Sequence, residues 1–201
     1  MSSFVTTGFS KPYVAKYANT AGTVSYSGGI LLGRGVSVES EIEGADDNNF
    51  YADNVIAETE STQFTSGSLT ATVDGLGDAA ATLILGLPEA ESVTIGTDSV
   101  TIQHYNDDMN APYVGFGYIR RVMYQGDTQY IPVVHPKVKF SLPSDSAATQ
   151  EDQIDWQTQE LSATLMRDDT AKRNWKLEGA PQTSETLAEA VLKHLLGITG
   201  E

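Results

Sequence analysis

The cleanest alternation in the chain runs over residues 35–43. Val36, Val38, Ser40 and Ile42 fall on one side, and Ser37, Glu39, Glu41 and Glu43 on the other. That is the period of a strand with one face for a core and a row of carboxylates on the opposite face. Residues 44–49, rich in Asp and Asn, predict a turn, and residues 50–58 a weaker second strand interrupted by Asp53 and Asn54. Residues 63–74 predict a third, with Leu69, Ala71 and Val73 inward and Ser68, Thr70 and Thr72 outward. The period then lengthens. Leu76, Ala79, Ala80, Leu83, Ile84 and Leu87 share one face of a helix. Asp78 sits in its first turn, where a carboxylate suits the dipole, and Gly86 followed by Pro88 marks its stop.

Short strands surround this middle section. Residues 1–12 read as an extended arm, and residues 13–17 as a strand with Tyr13, Ala15 and Tyr17 on one face. Residues 19–22 turn the chain, and Gly28 with Gly29 breaks it again. Residues 93–95 and 100–102 form a hairpin around 96–98, and residues 113–124 and 130–142 a longer one across 125–128. Pro132 and Pro136 place the second arm of that hairpin at an edge or demand bulges. Residues 154–167 are a strand whose phase slips. Ile154 and Trp156 lie on one parity and Leu161, Ala163 and Leu165 on the other, so a bulge near 158–160 is expected. Residues 172–177 pair as a last strand across 168–171. Ser184 caps a final helix over 184–197, with Leu187, Ala190, Val191 and Leu195 on one face and Gly197 at its end. The expected fold is mostly β, a β-sandwich or partly closed barrel, with one internal flanking helix and one C-terminal helix. Its 201 residues suit a single domain.

Charge changes the picture. No Lys or Arg occurs between Arg34 and Arg120, and residues 35–119 hold 15 acids. The rest of the chain holds 12 acids and 12 bases, so the net charge of -15 comes from this one block. Eight bases (Arg120, Arg121, Lys137, Lys139, Arg167, Lys172, Arg173 and Lys176) fall in the late strands. An acidic surface and a basic one on the same subunit suit a heterologous, head-to-tail interface, whose copies close into a ring or continue as a filament; an acidic surface that serves solubility alone and needs no partner is the equal alternative on charge. Tight nucleic-acid binding is not expected, because it needs clustered Lys and Arg. Nucleic acid passing nearby without being held remains compatible.

Candidate chemistry is sparse. The chain has no Cys, hence no disulfide, thiolate metal site or cysteine nucleophile. Asp46, Asp47, Asn48, Asn49 and Asp53 share only the composition of a calcium loop. Counted from Asp46, Tyr51 and Ala57 stand where a Gly and a Glu are needed. His104 with Asp107 and Asp108 is the other carboxylate–imidazole grouping, and a loop near a surface His is its ordinary reading. Of the three histidines, His135 and His194 read as structural. There is no Gly-x-Ser-x-Gly elbow, and the glycines at 28, 29, 33 and 35 lead into a strand, not a helix. Neither an enzyme nor a cofactor is expected. No secretory signal and no apolar run of membrane-spanning length is visible, so a soluble protein without a membrane partner is expected.

Several stretches together resemble one family. ADDNNFYADNVIAE (residues 45–58) resembles the acidic ADNN-x-YADN-x-x-x-E block of major tail proteins, the tail tube subunits of long, non-contractile-tailed bacteriophages. FTSGSLTATVDGL (64–76), APYVGFGYIRRV (111–122), IDWQTQELSATL (154–165) and the closing SETLAEAVLKHLLG (184–197) are similar and in the same order. The resemblance covers most of residues 12–197. It departs at the basic, aromatic strand before the proline-containing loop, kept only in part as VVHPKVKFSLPSD (133–145). It implies packed β-sheets with a flanking helix, sixfold rings that stack into a hollow tube in the virion, and assembly in the bacterial cytoplasm. The implied partners are the chain's own copies, the tape measure, tail terminator and distal tail proteins, and double-stranded DNA that passes through without tight binding. Under this reading Glu39, Glu41 and Glu43 line the lumen, where carboxylates repel phosphate, or else meet basic strands of the next subunit or ring. Asp46, Asp47, Asp53, Arg120, Arg121, Lys137 and Lys139 are the expected contacts between subunits or rings. The alternatives are a tail terminator or secretion-system tube protein of similar fold, and a monomeric β-sandwich module that binds carbohydrate.

Overall fold

A computed structural model describes residues 4–45, 48–60, 63–144 and 157–198. The elements in chain order are β1 (Val5–Thr20), β2 (Thr23–Leu31), β3 (Gly35–Gly44), β4 (Asn48–Ala52), β5 (Val55–Glu60), β6 (Phe64–Val73), α1 (Asp78–Leu85), β7 (Glu91–Ile95), β8 (Asp98–Ile102), β9 (Val114–Tyr124), β10 (Asp127–Phe140), β11 (Gln159–Met166), β12 (Leu177–Glu178) and α2 (Glu185–Leu195). The protein is mostly β with one internal and one C-terminal helix. One antiparallel sheet of eight strands runs β2-β1-β9-β10-β11-β6-β3, with β12 also on β10. β4-β5 and β7-β8 are separate two-stranded hairpins. The sheets are open and form no closed barrel. β2 and β3 end the sheet with no ladder between them, although Phe9 of β1 lies against Gly35, where a Cβ would come within 2.2 Å of its ring.

Two apolar clusters hold the sheet, one on each face. Val14, Leu69, Ala71, Val73, Phe116, Tyr118, Val133, Phe140, Leu161 and Leu165 pack with Ile84 and Leu85 of α1 into the larger core. The opposite face of β1, β9 and β10 carries Tyr13, Ala15, Ile119 and Val134 and is covered by Ala188, Leu192 and Leu196. The period of two explains this division, since Val14 faces one cluster while its neighbours Tyr13 and Ala15 face the other. α2 sits close because Gly115 and Gly117 lack side chains. A Cβ at Gly117 would stand 2.6 Å from Leu192, and one at Gly115 2.9 Å from Leu196. Ser184 caps this helix by accepting from the Leu187 N–H.

The departures from expectation each have a local cause. α1 buries Ala80, Ala81, Ile84 and Leu85, a face turned by about one residue from the expected one; Ala79 is exposed. Gly86 ends it in the left-handed region at φ 64°, pressed against the Asn110 carbonyl, where any Cβ would clash. The β9–β10 turn is only Gln125 and Gly126, with φ 51° and 93°, so β9 ends at Tyr124 as expected while β10 begins at Asp127, earlier than the sequence suggests. β10 is central, not an edge. It accommodates Pro136 through a register break between His135 and Val138, and Pro132 faces Ile119 on one side while on the other its carbonyl accepts from the Gly179 N–H, just past the two-residue β12. Residues 172–177 do not pair across 168–171. The buried Asp168 carboxylate accepts from the Thr170 N–H and hydroxyl and the Asn174 N–H and side-chain amide, closing a loop, and β12 joins β10 instead. β11 alternates without a slip from Gln159 onward, and the expected partners Ile154 and Trp156 lie outside the described residues. The first residues are not free of the sheet, since β1 pairs with β9 from Val5.

Candidate functional site

The carboxylate row of β3 lies on one outward face, as the alternation requires. Among the described residues β3 forms a ladder with β6 alone, with Glu39 opposite Thr70, Glu41 opposite Ser68 and Glu43 opposite Ser66. Glu43 accepts a 2.6 Å hydrogen bond from the Ser66 hydroxyl. The next strand continues the face, with Ser162 beside Thr70 and Thr164 beside Ser68; Lys139 of β10 lies beside Thr164. The result is a hydroxyl-rich surface three strands wide, with Glu39, Glu41 and Glu43 along its free edge and a lysine across from them.

The other face of β3 holds less core than its apolar residues suggest. Val38 is half-buried, but Val36 and Ile42 are 54% and 41% exposed. Val36 stands in a register break between Gly35 and Ser37, out of the ladder, and Ile42 lies on the last strand of the sheet, where Val38 is the β3 residue packed against the main core. Beyond Gly44 the β4-β5 hairpin leaves Phe50, Tyr51, Val55 and Ile56 each more than half exposed. Its turn is Asp53 and Asn54, both at positive φ, the geometry that this pair of residues tolerates. The β7-β8 hairpin likewise exposes Ile95, Val100 and Ile102. An isolated two-stranded hairpin is marginal in water, and both of these display apolar side chains.

The basic residues divide. Lys137 is committed to its own chain. Its ammonium lies 2.8 Å from Asp169, over the Tyr113 ring at 4.7 Å and the Tyr17 ring at 5.3 Å. The Lys137 hydrogen bond, with one from the Tyr17 hydroxyl, holds the Asp169 carboxyl below its usual range. Burial, with the neighbouring Asp169 carboxylate, pushes the Tyr17 hydroxyl up to about 12. Arg120 points inward beside Tyr118 and donates through Nη2 to Glu178, while its Nε is buried with no partner. Burial raises the Glu178 carboxyl, but the Lys176 ammonium and the Arg120 guanidinium outweigh it and keep it below its usual range. Arg121 and Lys139 are exposed and make no ion pair with a described residue, and the Lys139 ammonium lies over the Tyr113 ring at 5.8 Å. Asp53 is exposed at the hairpin tip; Asp46 and Asp47 lie outside the described residues.

His104 pairs with Glu91 at 3.0 Å on the exposed β7-β8 side, and Asp108 turns back onto Asn106. His194, expected to be structural, is exposed; His135 is buried. Among the described residues no group of three or more His, Asp or Glu is placed to hold a metal ion, and no described helix is long and apolar enough to cross a membrane. No protein-family model and no curated protein sequence matches this chain. The alternation locates the Glu row, but it does not show that Arg120 turns inward. The exposure of the hairpin also escapes it, although Phe50-Tyr51 and Val55-Ile56 flanking Asp53-Asn54 carry a hairpin signature.

Proposed function

We propose that the protein is a structural subunit that assembles with its own copies, head to tail, into rings stacked as a hollow tube: a phage tail tube protein. The observation that carries this reading is β3, a ten-residue edge strand with no Lys and no Pro, regular from Ser37 to Glu43 between register breaks at its two ends, and hydrogen-bonded among the described residues on one side only. Such an edge attracts another chain unless it is guarded. Two copies cannot join β3 to β3 favourably, because Glu39, Glu41 and Glu43 would meet their like, and directly opposed like charges destabilise a ladder. The strand at the other end of the sheet, β2, carries no charged residue. Pairing β3 of one copy with β2 of the next avoids the repulsion and repeats, which gives a heterologous, ring-forming contact. Joined sheets would place the hydroxyl-and-carboxylate face as a continuous lining. Carboxylates there repel DNA phosphates, so DNA slides without being gripped, whereas a Lys lining would hold it with strong salt dependence.

The first test is the state of the purified protein. Negative-stain microscopy with sedimentation velocity should show rings or tubes, and a monomer at all concentrations would defeat the proposal. The lumen assignment is tested separately with Glu39→Lys and Glu41→Lys together. Tubes should still form while DNA ejection slows and becomes salt-dependent; unchanged ejection would move these carboxylates off the lumen.

A further inference from the structure

Where the sheet fails to close, β1 and β3 diverge from their contact at Phe9 and Gly35 and leave a slot of about 400 Å³. Its walls are residues 6–9 of β1 and 36–38 of β3, and its floor is Tyr118 and Arg120. Both walls present strand edges without a ladder partner on the slot side. β1 is paired there with β9 alone, since β2 covers only residues from Tyr13 onward, and β3 is paired with β6 alone. The floor carries a guanidinium whose Nε is buried and unpartnered. Free backbone edges, apolar walls from Phe9, Val36 and Val38 and, at the floor, the Arg120 guanidinium, 28% exposed and paired with Glu178 through Nη2 alone, together describe a receptor for an extended segment with apolar residues and a carboxylate.

We propose that this slot receives the β4-β5 hairpin of a second copy, with Arg120 as the anchor for the Asp53 carboxylate. The hairpin has the required chemistry on one short element: exposed Phe50, Tyr51, Val55 and Ile56, and Asp53 in its turn. Charge argues for the same match, since the hairpin belongs to the block without bases and Arg120 is the first base after it. No hairpin residue lines the slot of its own chain. The two features sit at opposite ends of β3, with the slot at residues 36–38 and the hairpin after Gly44, roughly 20 Å along the strand at about 3.3 Å per residue. A donor at one end and an acceptor at the other make the contact directional and repeatable, so it continues without closing. It therefore supplies the axial, copy-on-copy contact, while residues 39–44 of the β3 edge remain for the neighbour in the ring. This inference rests on the self-assembly proposed above.

The absence of Cys makes the test direct. A variant with Ser37→Cys at the slot mouth and Asp53→Cys at the hairpin tip is oxidised after assembly and run on a non-reducing gel. A ladder of linked copies is expected, together with a linked heterodimer when the two single variants are mixed. In parallel, Asp53→Asn and Arg120→Gln should each raise the concentration needed for assembly by about tenfold or more, the value of one charged hydrogen bond, and the double variant no further than either. Assembled protein that gives no ladder, and whose assembly Asp53→Asn leaves unchanged, overturns the slot and leaves self-assembly standing. A chain that stays monomeric in sedimentation overturns both. Asp53 is an exposed turn residue, so its variant keeps the test valid even if Arg120→Gln fails to fold.

Discussion

Two parts of the same sheet meet water in opposite ways. In β1, β9 and the first half of β10 both faces are buried, one by the main core and one by α2. In β3 one face shows carboxylates and the other leaves Val36 and Ile42 largely uncovered. The strands are built by the same alternation, so the difference lies in what the rest of the chain supplies. α2 reaches Gly115 and Gly117 and seals the first region, while nothing among the described residues covers the second. The bare edge of β3 is the surface that the proposed copy-to-copy contact would use.

The largest effect should come from breaking the sealed region. Leu192→Ala, at a fully buried contact of α2 with the sheet, should cost about 3 kcal/mol and lower the urea midpoint accordingly. Ile42→Ala on β3 should cost under about 0.5 kcal/mol. Equal losses at the two positions would erase the contrast. Acid probes the sealed region next. His135 is buried, its Nδ1 near the Trp175 carbonyl and its Nε2 without a partner, and burial lowers its pKa to about 4. In the unfolded chain it binds a proton near pH 6.5, so between these values the unfolded state holds more protons and stability falls as pH falls. The loss from pH 7 to pH 4 should approach about 3 kcal/mol, and His135→Gln should remove that part of the slope in denaturation curves. If the variant keeps the full slope, carboxylates and not His135 set the acid limit.

A smaller loss is expected in the loop beneath the sheet. Asp168→Ala strips four hydrogen bonds from Thr170 and Asn174 and should cost about 2 kcal/mol, measured by thermal unfolding. The smallest effect belongs to the open region. Glu39→Lys and Glu41→Lys, facing Thr70 and Ser68 at the surface, should leave the unfolding free energy within about 0.5 kcal/mol, whatever they do to assembly. A large destabilisation there would mean that the Glu row supports the fold and is not reserved for a partner.

Alternation alone determined much of this protein. It fixed the strands at 35–43 and 63–74, the side of Glu39, Glu41 and Glu43, the opposed faces of Tyr13 and Val14, and a helix stopped by Gly86. These follow from local geometry, the period of two or of 3.6, which needs no knowledge of neighbours. Neighbours decided the rest. Whether Val36 and Ile42 are core depends on β3 being last in the sheet, and whether Pro132 and Pro136 mark an edge depends on the strand each side of β10. Arg120 alternates with its neighbours like any residue of β9, but only the packing of β1, β3 and β12 around it turns it into a half-paired cation at the floor of a slot. Residues distant in sequence set those environments, because burial is a property of what lies across the sheet and not of the strand itself.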